Sequence, residues 1–187
     1  MALMRYANIC IRNCHTSDSS CQQLQFAVYD MPLKLPESRL ELDPDGLDES
    51  AAAVASLIID PAKTVLAGFS QGGAMALYTG LTLPRGNLGA AIVIAGYLPA
   101  ASKVHQFRSS SGMPQVNTDI LMLHGKKDKT VLPMNAERSA QFIDENFVGR
   151  PGQVSCLTAM NADHEVTREQ LDRVVSFLEK RFPQDVA

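Results

Sequence analysis

The sequence predicts an α/β fold built on a mostly parallel, doubly wound sheet with helices on both faces. Three observations predict it. From Lys63 onward, strand-like and helix-like segments alternate, the rhythm of a parallel sheet with crossover helices. Two strand-like runs, Gly89–Ala95 and Asp119–His124, are almost continuously apolar, as strands covered on both faces are. Between Lys63–Ala67 and Gly73–Tyr78, the five residues Gly68-Phe69-Ser70-Gln71-Gly72 turn a strand-like run directly into a helix-like one.

In chain order, Tyr6–Ile11 has strand character, but Asn13–Gln23 is polar, and Met31–Gly46 is irregular and punctuated by prolines. Asp48–Ile59 reads as a helix, with acidic residues in its first turn and Asp60-Pro61 as its stop. Lys63–Ala67 reads as a short buried strand, and Gly73–Tyr78 as the start of a helix packed on small residues. After Gly89–Ala95, the stretch Ala100–Thr118 is rich in Ser and Gly and reads as a long connection. Asp119–His124 is the next strand, and Pro133–Phe147 the next helix, proline suiting a first helical turn. Gln153–Ala159 is a weaker strand. The last helix, Glu165–Phe182, places Val166, Leu171, Val174, Val175 and Leu178 on one apolar stripe. No internal repeat and no second domain is evident.

At 187 residues the chain is long enough for one sizeable core. A formal charge of −3 and a sequence pI near 5.8 argue against nucleic acid or an anionic membrane as partner. No apolar run approaches a transmembrane span, and the first residues lack the apolar core of a signal peptide. Cys10, Cys14, Cys21 and Cys156 match no zinc spacing, so reduced thiols and a cytoplasmic setting are expected.

Gly68-Phe69-Ser70-Gln71-Gly72 has the residues and the setting of a nucleophile elbow. A strand turning sharply into a helix holds the serine in a strained conformation with its Oγ exposed at the sheet edge. A serine hydroxyl is a weak nucleophile until a base takes its proton, so Ser70 needs a histidine and a group that orients it. On such a sheet the acid and then the histidine follow the serine, in loops at the carboxyl ends of later strands. Asp128 leaves the strand ending at His124, and His164 lies between the last strand and the last helix. Asp163 competes for the acid role, although its adjacency to His164 makes alignment with the imidazole difficult. His15 and His105 sit in irregular segments, and His124 is read as support for the loop carrying Asp128. The backbone N–H of Gln71, at the start of the elbow helix, is the expected oxyanion donor. The second donor normally comes from a loop after an earlier strand, and no residue identifies it.

These residues resemble the phospholipase/carboxylesterase family of α/β-hydrolases, which includes the acyl-protein thioesterases. The family elbow Gly-Phe-Ser-Gln-Gly-Gly-Ala matches Gly68–Ala74, and its leucine-proline matches Leu98-Pro99. Its His-Gly, aspartate and Val-x-Pro acid loop matches His124-Gly125, Asp128 and Val131-Leu132-Pro133. Its final histidine matches His164, and the resemblance runs from about Tyr29-Asp30 to Phe182. It implies an α/β-hydrolase fold and hydrolysis of carboxylic esters or thioesters, with no cofactor and no metal. Implied substrates are S-acylated proteins, lysophospholipids and small aryl esters.

The amino terminus departs from the family. No His-Gly-x-Gly motif, whose backbone supplies the second oxyanion donor, precedes Ser70. The expectation is a single domain over 1–187 with 1–28 as an atypical or truncated segment, the first strands being absent or replaced. Two readings follow. One is a serine hydrolase acting through Ser70, His164 and Asp128; the other is an impaired or non-catalytic hydrolase-fold protein. A substitute donor could come from Asn13–Gln23 folded over the site.

Overall fold

The computed structural model describes residues 6–13, 22–27, 37–84, 87–112, 115–147, 149–150 and 152–183. His15, Cys14, Cys21 and the Tyr29-Asp30 pair lie outside them. Six strands form one sheet in the order β2-β1-β3-β4-β5-β6. β3 (Thr64–Phe69), β4 (Ala90–Ile94), β5 (Asp119–Gly125) and β6 (Val154–Met160) run parallel. This is the parallel sheet that the alternating segments predict.

The remaining edge differs. β1 (Tyr6–Asn13) and β2 (Gln22–Ala27) form an antiparallel hairpin, and β1 also lies antiparallel to β3, with Ile9 opposite Gly68 and Asn13 opposite Thr64. The atypical segment 1–28 therefore contributes two strands, of which β2 was not expected. Asn13, at one end of the polar stretch, lies at the end of β3 away from Ser70, and Gln22 and Gln23, at its other end, are level with the middle of that strand. Residues 14–21 of the stretch fall outside the described residues.

Strand alternation sorts the core into two layers. Leu66, Ala91, Val93, Ile120 and Met122 face four helices: α1 (Leu47–Ser56), α2 (Gln71–Thr82), α3 (Ala101–Ser110) and α4 (Met134–Asn146). Val65, Ala90, Ile92, Ile94, Leu121 and Leu123 face α5 (Arg168–Arg181), which packs Val174, Phe177 and Leu178 against them, with Phe182 just beyond it. α2 is buried along ten of its twelve residues, which is why its small residues carry no amphipathic pattern.

Three expectations need correction. The stretch Ala100–Thr118 contains the helix α3. Its buried stripe is Ala101, Val104 and Arg108, and the guanidinium of Arg108 donates to the carbonyls of Leu81 and Gln115. A charged residue on the buried stripe hides the helical period from a hydrophobicity reading. α1 stops at Ser56, because Leu57 and Ile58 bond to Val54 and Ala55 in tighter three-residue turns that bury Ile58 and expose Ile59. On α5 the buried side is narrower than expected, since Leu171 and Val175 are exposed, and Val166, also exposed, precedes the helix. That helix begins at a capping box in which the Thr167 hydroxyl accepts from the Gln170 N–H and Gln170 Oε1 accepts from the Thr167 N–H.

Candidate active site

The elbow is built by close approach. A Cβ on Gly68 would lie 2.2 Å from the Gly72 carbonyl carbon, so only glycine lets β3 run directly under the first turn of α2. Ser70 is left at φ 54°, ψ −119°, a conformation an L-residue adopts only when its surroundings force it. Its own N–H donates to the Ile94 carbonyl at 2.8 Å, and its carbonyl accepts from Ala74 N–H. The hydroxyl therefore projects from the carboxyl end of β3.

The acid and histidine loops meet by a second close approach. Gly125, ending β5, passes so near Ala162 that a Cβ there would lie 2.3 Å from the Ala162 carbonyl oxygen. Lys127 N–H donates to that same carbonyl at 2.9 Å. The two loops are thereby locked together, and the capping box fixes where the second one enters α5.

The structure brings Ser70, His164 and Asp128 together. His164 Nε2 lies 2.9 Å from Ser70 Oγ, and His164 Nδ1 lies 2.8 Å from Asp128 Oδ2. A carboxylate only accepts, so the imidazole proton sits on Nδ1 and the Nε2 lone pair faces the serine hydroxyl. Asp128 is buried, and its Oδ1 accepts the N–H groups of Thr130 and Val131, each at 2.8 Å. The Phe69 ring lies against the imidazole at 4.8 Å between centroids. Asp163 does not reach the imidazole: it is exposed, and its Oδ1 accepts the His164 backbone N–H at 2.9 Å.

His124 supports the acid loop from inside. Its Nε2 lies 2.8 Å from the Val131 carbonyl and 3.2 Å from Asp128 Oδ2, two acceptors that place the ring proton on that nitrogen. Nδ1 is buried with no hydrogen-bond partner. Burial pushes the His124 pKa down, so the ring is neutral beside the carboxylate. His105 lies on α3, exposed, with its ring 5.9 Å from Phe147 and away from this cluster.

Gln71 is the first residue of α2, where the helix dipole presents its positive end beside Ser70. The Ser70 N–H is itself engaged with the Ile94 carbonyl. Cys156, on β6, is a free thiol whose pKa burial, with Glu137 nearby, pushes up to about 11, so it is no nucleophile at neutral pH. Among the described residues no cluster of three or more His, Cys, Asp or Glu side chains is arranged to hold a metal ion. A groove of about 560 Å³ between α1, α2 and α3 is lined by residues such as Ala51, Tyr78, Lys103 and Phe107 and contains none of the three site residues.

One residue of the site left no trace in sequence reasoning. Arg39, in the irregular segment before α1, is 7% exposed and donates from Nη2 to the Thr130 carbonyl at 2.5 Å. Its guanidinium also lies over the Tyr97 ring, 5.3 Å from the centroid.

Known proteins resemble this chain in sequence and in fold. The chain is 28% identical over 160 residues to "Acyl-protein thioesterase 1 homolog 1" of Dictyostelium discoideum, covering 81% of this chain and 67% of that protein. It is 33% identical over 125 residues to "Acyl-protein thioesterase 1" of Gibberella zeae, covering 67% of this chain and 51% of that protein. The chain thus spans about half the length of some of the curated relatives it matches. Among solved structures, Zea mays acyl-protein thioesterase 2 superposes with a TM-score of 0.61 at 27% identity, covering 87% of this chain and 74% of that one. Residues 46–182 match the phospholipase/carboxylesterase family, and the chain belongs to that family of α/β-hydrolases.

Proposed function

We propose that this chain is a serine hydrolase that cleaves carboxylic esters or thioesters through Ser70, His164 and Asp128. The observation that carries the reading is the hydrogen-bonded series from Ser70 Oγ to His164 Nε2 and from His164 Nδ1 to Asp128 Oδ2, mounted on a strained elbow. As Ser70 Oγ attacks the acyl carbon, its proton passes to His164 Nε2, and the carbonyl oxygen takes up negative charge. Asp128 holds the imidazolium that forms. The Gln71 N–H, with the α2 dipole behind it, faces the oxyanion. Collapse of the intermediate breaks the bond to the alkoxide or thiolate, which takes the proton from Nε2 and leaves an acyl group on Ser70. Water then repeats the attack, its proton going to Nε2 and on to Ser70 Oγ as the carboxylic acid departs.

S-acylated proteins and lysophospholipids are the substrate classes this reading favours, the former supported by the thioesterase relatives. We take the described residues to act as one catalytic unit. A cytoplasmic setting accompanies the reading, supported by the free Cys156 thiol. No helix among the described residues is long and apolar enough to cross a membrane.

A second reading, an impaired hydrolase, draws on one specific observation. The neighbour of β3 on the side away from β4 is β1, which runs antiparallel and brings its amino end, not its carboxyl end, towards Ser70. A loop leaving the carboxyl end of a parallel strand is the usual source of the second oxyanion donor. Hydrolysis of a p-nitrophenyl ester and of an acyl thioester, measured for the wild type and for Ser70→Ala, tests the first reading. Turnover that Ser70→Ala abolishes supports it. Equal turnover by the two proteins would overturn it, and inactive folded wild type would favour the second.

A further inference from the structure

We propose that Arg39 is a positioning residue for the acid Asp128, acting through the single peptide group that joins Thr130 to Val131. The inference rests on the triad reading and extends it to a residue outside the matched family region, residues 46–182. The Thr130 carbonyl and the Val131 N–H belong to the same peptide unit. The carbonyl accepts from Arg39 Nη2 at 2.5 Å, and the N–H donates to Asp128 Oδ1 at 2.8 Å. A cation on the oxygen side polarises the unit and strengthens its N–H as a donor, so the two hydrogen bonds reinforce each other. The series is continuous from Arg39 through that peptide to Asp128, then His164, then Ser70 Oγ.

The surroundings of Arg39 fit this role better than simple loop anchoring. Its side chain is nearly buried, and no ion pair with a described carboxylate holds it. Burying an unpaired guanidinium is costly, and a neutral side chain would pack there without that cost. The charge faces the Tyr97 ring on one side and the Thr130 carbonyl on the other. The backbone holding it is itself fixed. Arg39 N–H donates to Asn135 Oδ1 at 2.8 Å, and Asn135 Nδ2 donates to the Glu37 carbonyl at 3.1 Å. Further along, Ala101 N–H and Ala100 N–H donate to the carbonyls of Leu40 and Leu42. The segment is thus strapped across the amino ends of α3 and α4 with its guanidinium aimed at the acid loop.

A double-mutant cycle tests the proposal, with hydrolysis of a p-nitrophenyl ester as the readout. Arg39→Met keeps most of the length and volume and removes the charge and the donor. It is expected to lower kcat about tenfold, a hydrogen bond to a charged group being involved, with KM little changed. Arg39→Lys should recover part of that loss, since it restores a charged donor. In the Asp128→Asn background Arg39→Met should cost less than about twofold, because the group it serves is already disabled. Equal losses in both backgrounds, a loss confined to KM, or no loss at all would overturn the proposal. Should Arg39→Met not fold, the same cycle run with Arg39→Gln, which also removes the charge, decides the matter on the same criterion. If Ser70→Ala retained wild-type turnover, the triad reading itself would fail, an outcome distinct from a cycle that is additive while Ser70 remains essential.

Discussion

Among the described residues, the two flanks of Ser70 are built differently. On the flank that holds His164, the imidazole is oriented by a buried Asp128, which is held in turn by two backbone amides, by His124 and, across the Thr130–Val131 peptide, by Arg39. On the flank proposed to receive the oxyanion, the described residues offer the Gln71 position and the α2 dipole, beside an antiparallel strand. The difference follows from strand direction. β4, β5 and β6 run parallel to β3, so their carboxyl ends deliver loops to the same rim, whereas β1 runs the other way and delivers its amino end. A parallel sheet gathers chemistry at one edge only from strands that share its direction.

The comparison is broken most severely by disabling the complete flank. Asp128→Asn should lower kcat by about three to four orders of magnitude, because the amide favours the wrong imidazole tautomer and no longer balances the imidazolium charge. A steady-state assay on an aryl ester checks this, and near wild-type turnover would move the acid role away from Asp128. The next effect sharpens the contrast from the other side. Against a family member with a complete oxyanion site, this chain should show kcat/KM lower by about a hundredfold to a thousandfold, the usual cost of one missing donor. Parity in a side-by-side assay would mean that a second donor is present after all.

Smaller effects concern the scaffold that both flanks share. Gly68→Ala should destabilise the fold by about 3 kcal/mol or more in chemical denaturation, since its Cβ would meet the Gly72 backbone at 2.2 Å. Acidification should act through His124. Burial holds its folded pKa below the ordinary 6.5, so the unfolded chain takes up a proton more readily. The resulting stability is present above pH 6.5 and is lost as pH falls from there towards the lowered value. A melting temperature that declines over that window, and declines less in His124→Gln, is the expected pattern. Smallest of all, Thr167→Ala should cost about 1 kcal/mol through loss of the capping box that sets the His164 loop.

What could be read from the sequence follows the range of the interactions involved. The elbow was legible because its demands are local: Gly68, Ser70 and Gly72 meet within one turn. Asp128 and His164 were legible because chain order and strand ends confine them to two loops. The helix α3 was not, because its buried stripe includes Arg108, whose guanidinium donates to the carbonyls of Leu81 and Gln115. The strand β2 pairs antiparallel with β1, and its glutamine-rich sequence gives no apolar run. Arg39 was the least legible, since its partner Thr130 lies 91 residues away and its own segment has no periodic pattern.

The central claim is that Ser70 is a nucleophile activated by His164, and mapping a fluorophosphonate adduct by mass spectrometry tests it most directly. The account predicts a single adduct on Ser70 in the folded wild type, with labelling sharply reduced in His164→Gln. An adduct on another residue, no adduct on folded protein, or equal labelling of Ser70 in His164→Gln would contradict it.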